Sequence, residues 1–412
     1  MKKLSIIVFL NIVALFYASG KVGNHSYPTP GEISIVAATP VTDGIEATPQ
    51  LYRDVEDCGF NLVINGGNYA NIKKQFELMM NTNVKFLVSM SQLFGNNEAR
   101  FISDLSKEKN FGGWFIKDEP TFDYLPKLKE QQERLQRLDP NSFKMINLVG
   151  MIEKPFTGNY KTVKDYISYI REILNPQVWS YDYYPILIKN GKFTVNHDQF
   201  YTDLEDFSSM SKTTGAPFWA FCESMEYSNK WNSRPAGTEA YFRFEAVSAL
   251  AYGAQGIVYW TYGMRKSTSV ETYISALVDA KGKKTKAWYA AQKVNHEIKK
   301  YNDVFFGCEV KEVRHTGKTL YKSTKRLNGS FGPFSSVTSE NSGVLVSKLS
   351  NSGRNYIIIV SHDVQKTQKV NLTIDGRHNI TFITDSNFTR KDNKITIMLD
   401  KGGYAIMEYK AI

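Results

Sequence analysis

Cysteine is scarce: three residues in 412, Cys58, Cys222 and Cys308. The number is odd, so at least one is free unless it pairs between chains. None has metal-ligand spacing, and Cys222, inside an apolar segment, reads as a small buried hydrophobe. The six histidines show no ligand spacing either. The sequence therefore calls for no metal and no organic cofactor. Beyond residue 20 there is no apolar run long enough to span a bilayer. Runs of five or more like charges are absent, although 51 basic against 41 acidic residues give a net charge of +10. Dispersed charge of this kind is a solvated basic surface, not the clustered stripe of a nucleic-acid-binding protein. No Gly-x-Gly-x-x-Gly turn follows the first predicted strand, which argues against a doubly wound dinucleotide-binding sheet.

What is present is a packed globular composition. Hydrophobic residues make up 42% and aromatics 13%, with 6 Trp, 24 Tyr and 25 Phe. The length suits one large domain and one small one. Met1-Lys2-Lys3, the apolar stretch Leu4 to Tyr17 and the small residues Ala18-Ser19-Gly20 have the form of a cleavable signal. Residues 1–20 are therefore expected to be removed. No Cys lies near the cleavage point for lipid attachment, so a secreted or periplasmic soluble protein is expected.

Strand-like and helix-like segments alternate from residue 33 onward. Eight strands are predicted: Ile33–Ala38, Asn61–Asn65, Val84–Met90, Trp114–Lys117, Lys144–Val149, Val178–Tyr184, Phe218–Glu223 and Gly256–Tyr262. Helical periodicity fills the gaps at Ile72–Met80, Leu125–Leu138, Thr162–Leu174 and Glu239–Tyr252, and a helix over Lys286–Lys300 would close the set. Alternation of this kind implies a parallel sheet. Eight βα units point to an α/β fold, the (β/α)8 TIM barrel, over residues 21–304. After about Phe305 the texture becomes short alternating strands: Val344–Lys348, Tyr356–Ser361, Lys369–Ile374, Ile380–Ile383, Lys394–Leu399 and Gly403–Tyr409. Residues 305–412 are therefore expected to form a small all-β sandwich, with Ser323–Ser342 as a loop. That module is expected to be a spacer or to pack on the barrel. The remaining reading is a carbohydrate-binding unit, and no exposed aromatic triplet is evident to support it.

Two strands end on a glutamate. Glu119 closes Gly112-Gly113-Trp114-Phe115-Ile116-Lys117-Asp118-Glu119 before Pro120. Glu223 closes Pro217-Phe218-Trp219-Ala220-Phe221-Cys222-Glu223. The carboxyl ends of barrel strands face one common mouth, where catalytic groups sit. Adjacent acids at the end of a buried strand are costly to desolvate unless a pocket uses them. The bland readings are a helix-entry group for Asp118 or Glu119, and a structural pair with Arg243 or a loop position for Glu223. Glu226 is the rival for the role of Glu223. Two carboxyls held in different protonation states can cleave a glycosidic bond.

A glutamate before Pro at the end of strand four and a second at the end of strand seven resemble the pattern of the clan A glycoside hydrolases. The resemblance covers about residues 31–300, and the order of strands is its stronger part. It implies a retaining mechanism with Glu119 as acid/base and Glu223 as nucleophile. It also implies that Trp260, ending strand eight, is the aromatic platform under the reacting sugar. The clan places Asn immediately before the acid/base, where this chain has Asp118. The Tyr-Asp pair on strand six is similar to one in the chitinase-like family, which works through the substrate's acetamido group. Of that family's strand-four Asp-x-x-Asp-x-Asp-x-Glu only the last position matches here.

The candidate catalytic residues are thus Glu119 and Glu223. The candidate substrate contacts are Asp118, Asn65, Asn147, Tyr181, Asp182, Tyr183, Trp219, Trp231 and Trp260. The expected partner is a carbohydrate, a β-linked poly- or oligosaccharide attacked internally. The likeness extends loosely to endo-β-glucanases and β-galactosidase-like enzymes. The rival from another class is a carbohydrate-binding protein without turnover, on the same scaffold.

Overall fold

A computed structural model describes residues 21–22 and 25–412 apart from residue 231. The expected signal segment 1–20 and Trp231 lie outside the described residues.

Eight parallel strands close into a barrel in strictly sequential order. They are Ser34–Ala38, Leu62–Asn65, Lys85–Ser89, Phe111–Asp118, Lys144–Val149, Trp179–Asp182, Phe218–Glu223 and Gly256–Trp260, named below as strands one to eight. The helices fall where the 3.6-residue period places them. Leu125–Leu138 and Lys286–Lys300 are helical over those bounds, and Tyr69–Met79, Val163–Ile173 and Glu239–Ala251 lie within a few residues of expectation. Several helices begin at a side-chain cap: Thr48, Asn68, Thr162, Asn196 and Thr238 each accept a backbone N–H from the first turn. Such caps satisfy donors that a helix start leaves unpaired.

Alternation along each strand separates two cores. On strand seven, Phe218, Ala220 and Cys222 face the surrounding helices, while Trp219 and Phe221 fill the barrel interior. The floor of the interior is aromatic. The Trp219 ring stacks on Phe143 at 5.3 Å and its indole N–H donates to the Tyr27 hydroxyl at 3.1 Å. Gly256 on strand eight makes room for this ring: a Cβ there would lie 2.5 Å from the indole.

The second unit is two antiparallel sheets, of five and four strands. Phe334, Val346, Ile357, Ile359, Leu372, Ile397 and Met407 form the core between them. The strands at Glu309–His315, Phe334–Ser339 and Asn387–Lys391 were not expected, and the second lies inside the predicted loop Ser323–Ser342. The outer face of the five-stranded sheet, with Leu345, Leu349, Tyr356, Ile358 and Ile406, joins the same core as the barrel's helices. The helix Glu239–Ala251 lies between sheet and barrel, and Ser347 Oγ donates to its Ala251 carbonyl at 2.7 Å. The module is packed on the barrel.

Another sheet was also not foreseen. Five short strands cross one side of the barrel mouth in the order Lys192–Val195, Ile186–Lys189, Ser233–Arg234, Glu226–Asn229 and Glu271–Ser275. They come from the connections after strands six, seven and eight. Among the described residues no helix is long and apolar enough to cross a membrane.

Gly256→Ala should destabilise the protein by about 1–3 kcal/mol, the range for overpacking a filled interior. Chemical denaturation would measure this. Whatever the chain does at its mouth should proceed at an unchanged rate per folded molecule.

Candidate active site

The strand-four carboxylates reach the mouth through two local irregularities. Pairing with strand five runs Phe115↔Met145, then shifts to Lys117↔Ile146 and Asp118↔Asn147. This bulge resets the alternation. Trp114 and Ile116 face the helices, and without the extra residue Asp118 would follow them outward. Glu119 then takes a positive φ of 38°, uncommon for a side chain with a Cβ. Its N–H is held by the Asn147 carbonyl at 3.0 Å. Two consecutive acids therefore both serve the mouth, which a regular strand would not allow.

Asn147 ties strands four, five and six together. Its Nδ2 donates to Asp118 Oδ1 at 3.0 Å and to Asp182 Oδ1 at 2.9 Å, while its Oδ1 accepts from Ser180 Oγ at 2.9 Å. Asp182 and Glu119 also hydrogen-bond each other through their carboxyls. Such a contact requires a proton between them, because two carboxylates only accept. Burial, then the charge of Asp118, lifts Glu119 to about 7. Burial and the charges of Glu119 and Asp118 push Asp182 well above the carboxylate range. The pair holds one proton near neutrality and titrates as a unit. Asp118 keeps exposed surface yet is ringed by protein, as a side chain lining a concave mouth must be. Burial raises it, while Asn147, Lys117 and Arg265 oppose the rise.

Glu223 continues the inward side of strand seven after Trp219 and Phe221, and is 5% exposed. Burial raises it well above the usual range, opposed by Arg234 and by a 2.9 Å hydrogen bond from the Met225 N–H to Oε1. Its other oxygen, Oε2, has no hydrogen-bond partner among the described residues. The proposed pairing with Arg243 does not form: Arg243 binds Glu239 and Glu297 on the outer helices. Arg234, from the mouth sheet, is the cation that acts on Glu223. It is anchored by the Tyr184 and Ile186 carbonyls. Glu226 lies on the mouth sheet, half-buried, opposite Ser275.

Tyr184, just past strand six, is the meeting point. Its hydroxyl feels the charges of Asp182, Glu223, Glu119 and Asp118 together. Its ring stacks with Trp260 at 6.1 Å. Trp260 is half-buried among Tyr227 and Tyr273, with the Arg265 guanidinium 5.9 Å above it. The mouth thus has carboxyls from strands four, six and seven and an aromatic wall from strand eight and the added sheet.

Three candidates stand elsewhere, and a fourth is engaged by its neighbours. Trp219 is fully buried at the barrel floor, too deep to meet a ligand at the mouth. Tyr181 is 1% exposed and stacks on Phe207 in the helix layer at 4.1 Å. Tyr183 is likewise buried on the helix side. Asn65 ends strand two at the mouth side, but its amide donates to Gln75 and its carbonyl accepts from Gly66. Strand six turns Ser180, Asp182 and Tyr184 inward, so the tyrosine that matters is Tyr184. The signal was in the sequence, since it is two residues on from Asp182. Arg234, Tyr227 and Arg265 had no such signal. Glu245, whose carboxyl accepts the Glu223 N–H, had one: a lone acid inside the apolar run Phe244–Ala251.

A cavity of about 710 Å³ opens at the opposite end of the barrel, lined by Phe218, Gln255, Asn351 and Arg354 among others. It lies at the strand N-termini, where the paired carboxyls are not. Among the described residues no group of His, Cys, Asp and Glu is arranged to hold a metal ion.

Residues 123–301 match the sequence model of the glycoside hydrolase 42 β-galactosidase family. The match begins just after Glu119 and includes Asn147, Asp182, Glu223 and Trp260. No curated protein matches the chain. Among solved structures, a catalytic mutant of Gan42B, a family 42 β-galactosidase from G. stearothermophilus, is 9% identical. That similarity covers 93% of this chain and 99% of that one, with a TM-score of 0.57. At such identity the likeness is one of fold. A β-galactosidase from the psychrophilic Marinomonas ef1 is 10% identical over 65% of this chain and 60% of its own, with a TM-score of 0.44. With the sequential eight-stranded barrel, its packed β module and a family match running through strands five to eight, the chain is similar to the TIM-barrel glycoside hydrolases of clan A.

Proposed function

We propose that the chain hydrolyses β-glycosidic bonds of a poly- or oligosaccharide with retention at the anomeric carbon. The observation that carries this reading is the convergence on Tyr184 of carboxyls in unlike surroundings. Glu119 shares a proton with Asp182 and is lifted to about 7, so it can donate to a leaving oxygen near neutral pH. Burial raises Glu223, while Arg234 and the Met225 N–H oppose that rise and favour the ionised form that an attacking carboxylate requires. Glu223 forms the glycosyl ester while Glu119 protonates the departing oxygen. Glu119 then deprotonates the water that hydrolyses the ester. Trp260 supplies the flat apolar surface on which a sugar face packs. Asp118, held by Asn147, accepts from a sugar hydroxyl in place of the clan's usual Asn.

The aromatic surroundings of the mouth support several subsites and internal cleavage. The five-stranded sheet across one side of the mouth favours a second reading, removal of sugars from a chain end, because a wall shortens the groove a polymer can thread. The substrate-assisted alternative rests on Asp182 beside Glu119 and requires an acetamido sugar. The basic-apolar start Met1–Gly20 supports action outside the cytoplasm.

A screen of β-linked glycans should show product release by the wild type and none by Glu119→Gln or Glu223→Gln. Product sizes separate internal from terminal cleavage. Glu223→Ala should be inactive and partly rescued by azide as an α-glycosyl azide. Rescue of Glu226→Ala instead would move the nucleophile by three residues. Binding of one glycan without turnover, unchanged in Glu119→Gln, would identify a binding protein.

The rate should decline above about pH 7, as the Glu119–Asp182 pair loses its proton. The same shift sets a stability difference. The folded value of Glu119 is raised above the unfolded value of about 4.3. The native state therefore binds more protons in between, and its stability falls as pH rises through that window. Glu119→Gln should melt at the wild-type temperature near pH 4 and a few degrees higher at pH 8. An equal difference at both pH values would show that Glu119 titrates normally.

A further inference from the structure

Strand seven is longer than its neighbour. It pairs with strand six only from Phe218↔Trp179 to Ala220↔Tyr181, whereas with strand eight it continues to Glu223↔Trp260. Beyond Ala220 the side toward strand six is open. The Ser224 N–H turns to strand eight and binds the Trp260 carbonyl at 3.0 Å. The Glu223 N–H, turned the other way, has no strand to bind. Its acceptor is Glu245 Oε2, at 3.0 Å, from the helix Glu239–Ala251 behind the strand.

Glu245 is a costly residue in this place. It is 2% exposed, Phe244 and Ala246 beside it are fully buried, and its Oε1 has no hydrogen-bond partner among the described residues. No lysine or arginine forms an ion pair with it among the described residues. A glutamine would accept the same N–H without an ionisable group, and an alanine would avoid the desolvation altogether. Burial lifts its carboxyl to about 8, so it stands neutral behind Glu223 near neutral pH. Two buried carboxylates this close would otherwise oppose each other's ionisation.

We propose that Glu245 is a positioning residue for Glu223. Its carboxyl oxygen replaces the ladder acceptor that strand six fails to supply, and it fixes the end of strand seven so that the Glu223 carboxyl meets the anomeric carbon. This rests on the reading of Glu223 as nucleophile. The acceptor acts on the backbone of the nucleophile itself, so its loss displaces the reacting oxygen rather than the sugar site. A displacement of about 1 Å in such a group costs on the order of 100-fold in rate.

The test compares wild type, Glu245→Gln and Glu245→Ala on a glycan the wild type cleaves, with kcat and KM resolved and the folded fraction measured by circular dichroism. Glu245→Gln keeps the acceptor and should hold kcat within about threefold. Glu245→Ala should lower kcat 10- to 100-fold per folded molecule, with KM within about threefold. Equal kcat per folded molecule in the wild type and Glu245→Ala would overturn the positioning role and leave the glycosidase reading intact. If Glu245→Ala does not fold, Glu245→Gln decides alone: a loss of 10-fold or more would show that an amide cannot stand in and overturn the proposal. Absence of turnover in the wild type across the panel would overturn both readings.

Discussion

Four carboxyl groups held under one barrel mouth are the constraint around which the rest of this structure is arranged. Asp118, Glu119, Asp182 and Glu223 would each be ionised and hydrated in water. Brought together in a protein pit they oppose one another's charge, and burial opposes all four. The fold offsets this with a small number of directed contacts. Asn147 offers one NH2 group to two of the acids. Glu119 and Asp182 relieve their repulsion by sharing a proton. Arg234 and a backbone N–H serve Glu223. Each contact favours one protonation state over another. A single cluster thereby contains a group suited to donating a proton and a group suited to carrying charge.

The backbone that delivers these groups is irregular where the chemistry requires it. Strand four needs a bulge and a residue at positive φ to present Asp118 and Glu119 in succession. Strand six stops early, so the Asp182 and Tyr184 side chains reach into the mouth but strand seven loses a partner. Departures of this kind cost stability and persist because the surrounding barrel over-determines them. The aromatic plug of Tyr27, Phe143 and Trp219 fills the barrel interior below the mouth.

Short apolar segments alternating with helical periodicity made the eight strands legible in the sequence. Glu119 and Glu223 were found because an acid at the end of an apolar strand has few structural explanations. The errors are of two kinds, of depth and of direction. Trp219 and Glu223 point to the same side of strand seven, yet one is the floor and the other the mouth. Tyr181 and Tyr183 point the wrong way, whereas Tyr184, the last residue of the predicted strand, points inward and was not singled out. The mouth sheet was not legible because its strands are two to five residues long and pair across distant connections. Arg234 acts on Glu223 only because Ile186–Lys189 and Glu226–Asn229 fold beside it.

The C-terminal module is tied to the same problem. The helix Glu239–Ala251 is apolar on nearly all sides, which suits a helix buried on both faces. One face meets strand seven and presents Glu245 to Glu223. The other meets the five-stranded sheet, where Leu345, Ile358 and Ile406 extend the barrel's core and Ser347 grips the helix's last carbonyl. Without the sheet, that face would lie in water. A helix that must hold a carboxyl within hydrogen-bond reach of a strand end needs its position fixed to a fraction of an ångström, and packing on both sides supplies that fixity. The module therefore does more than follow the barrel in sequence: it clamps the helix against which the Glu223 strand end is set.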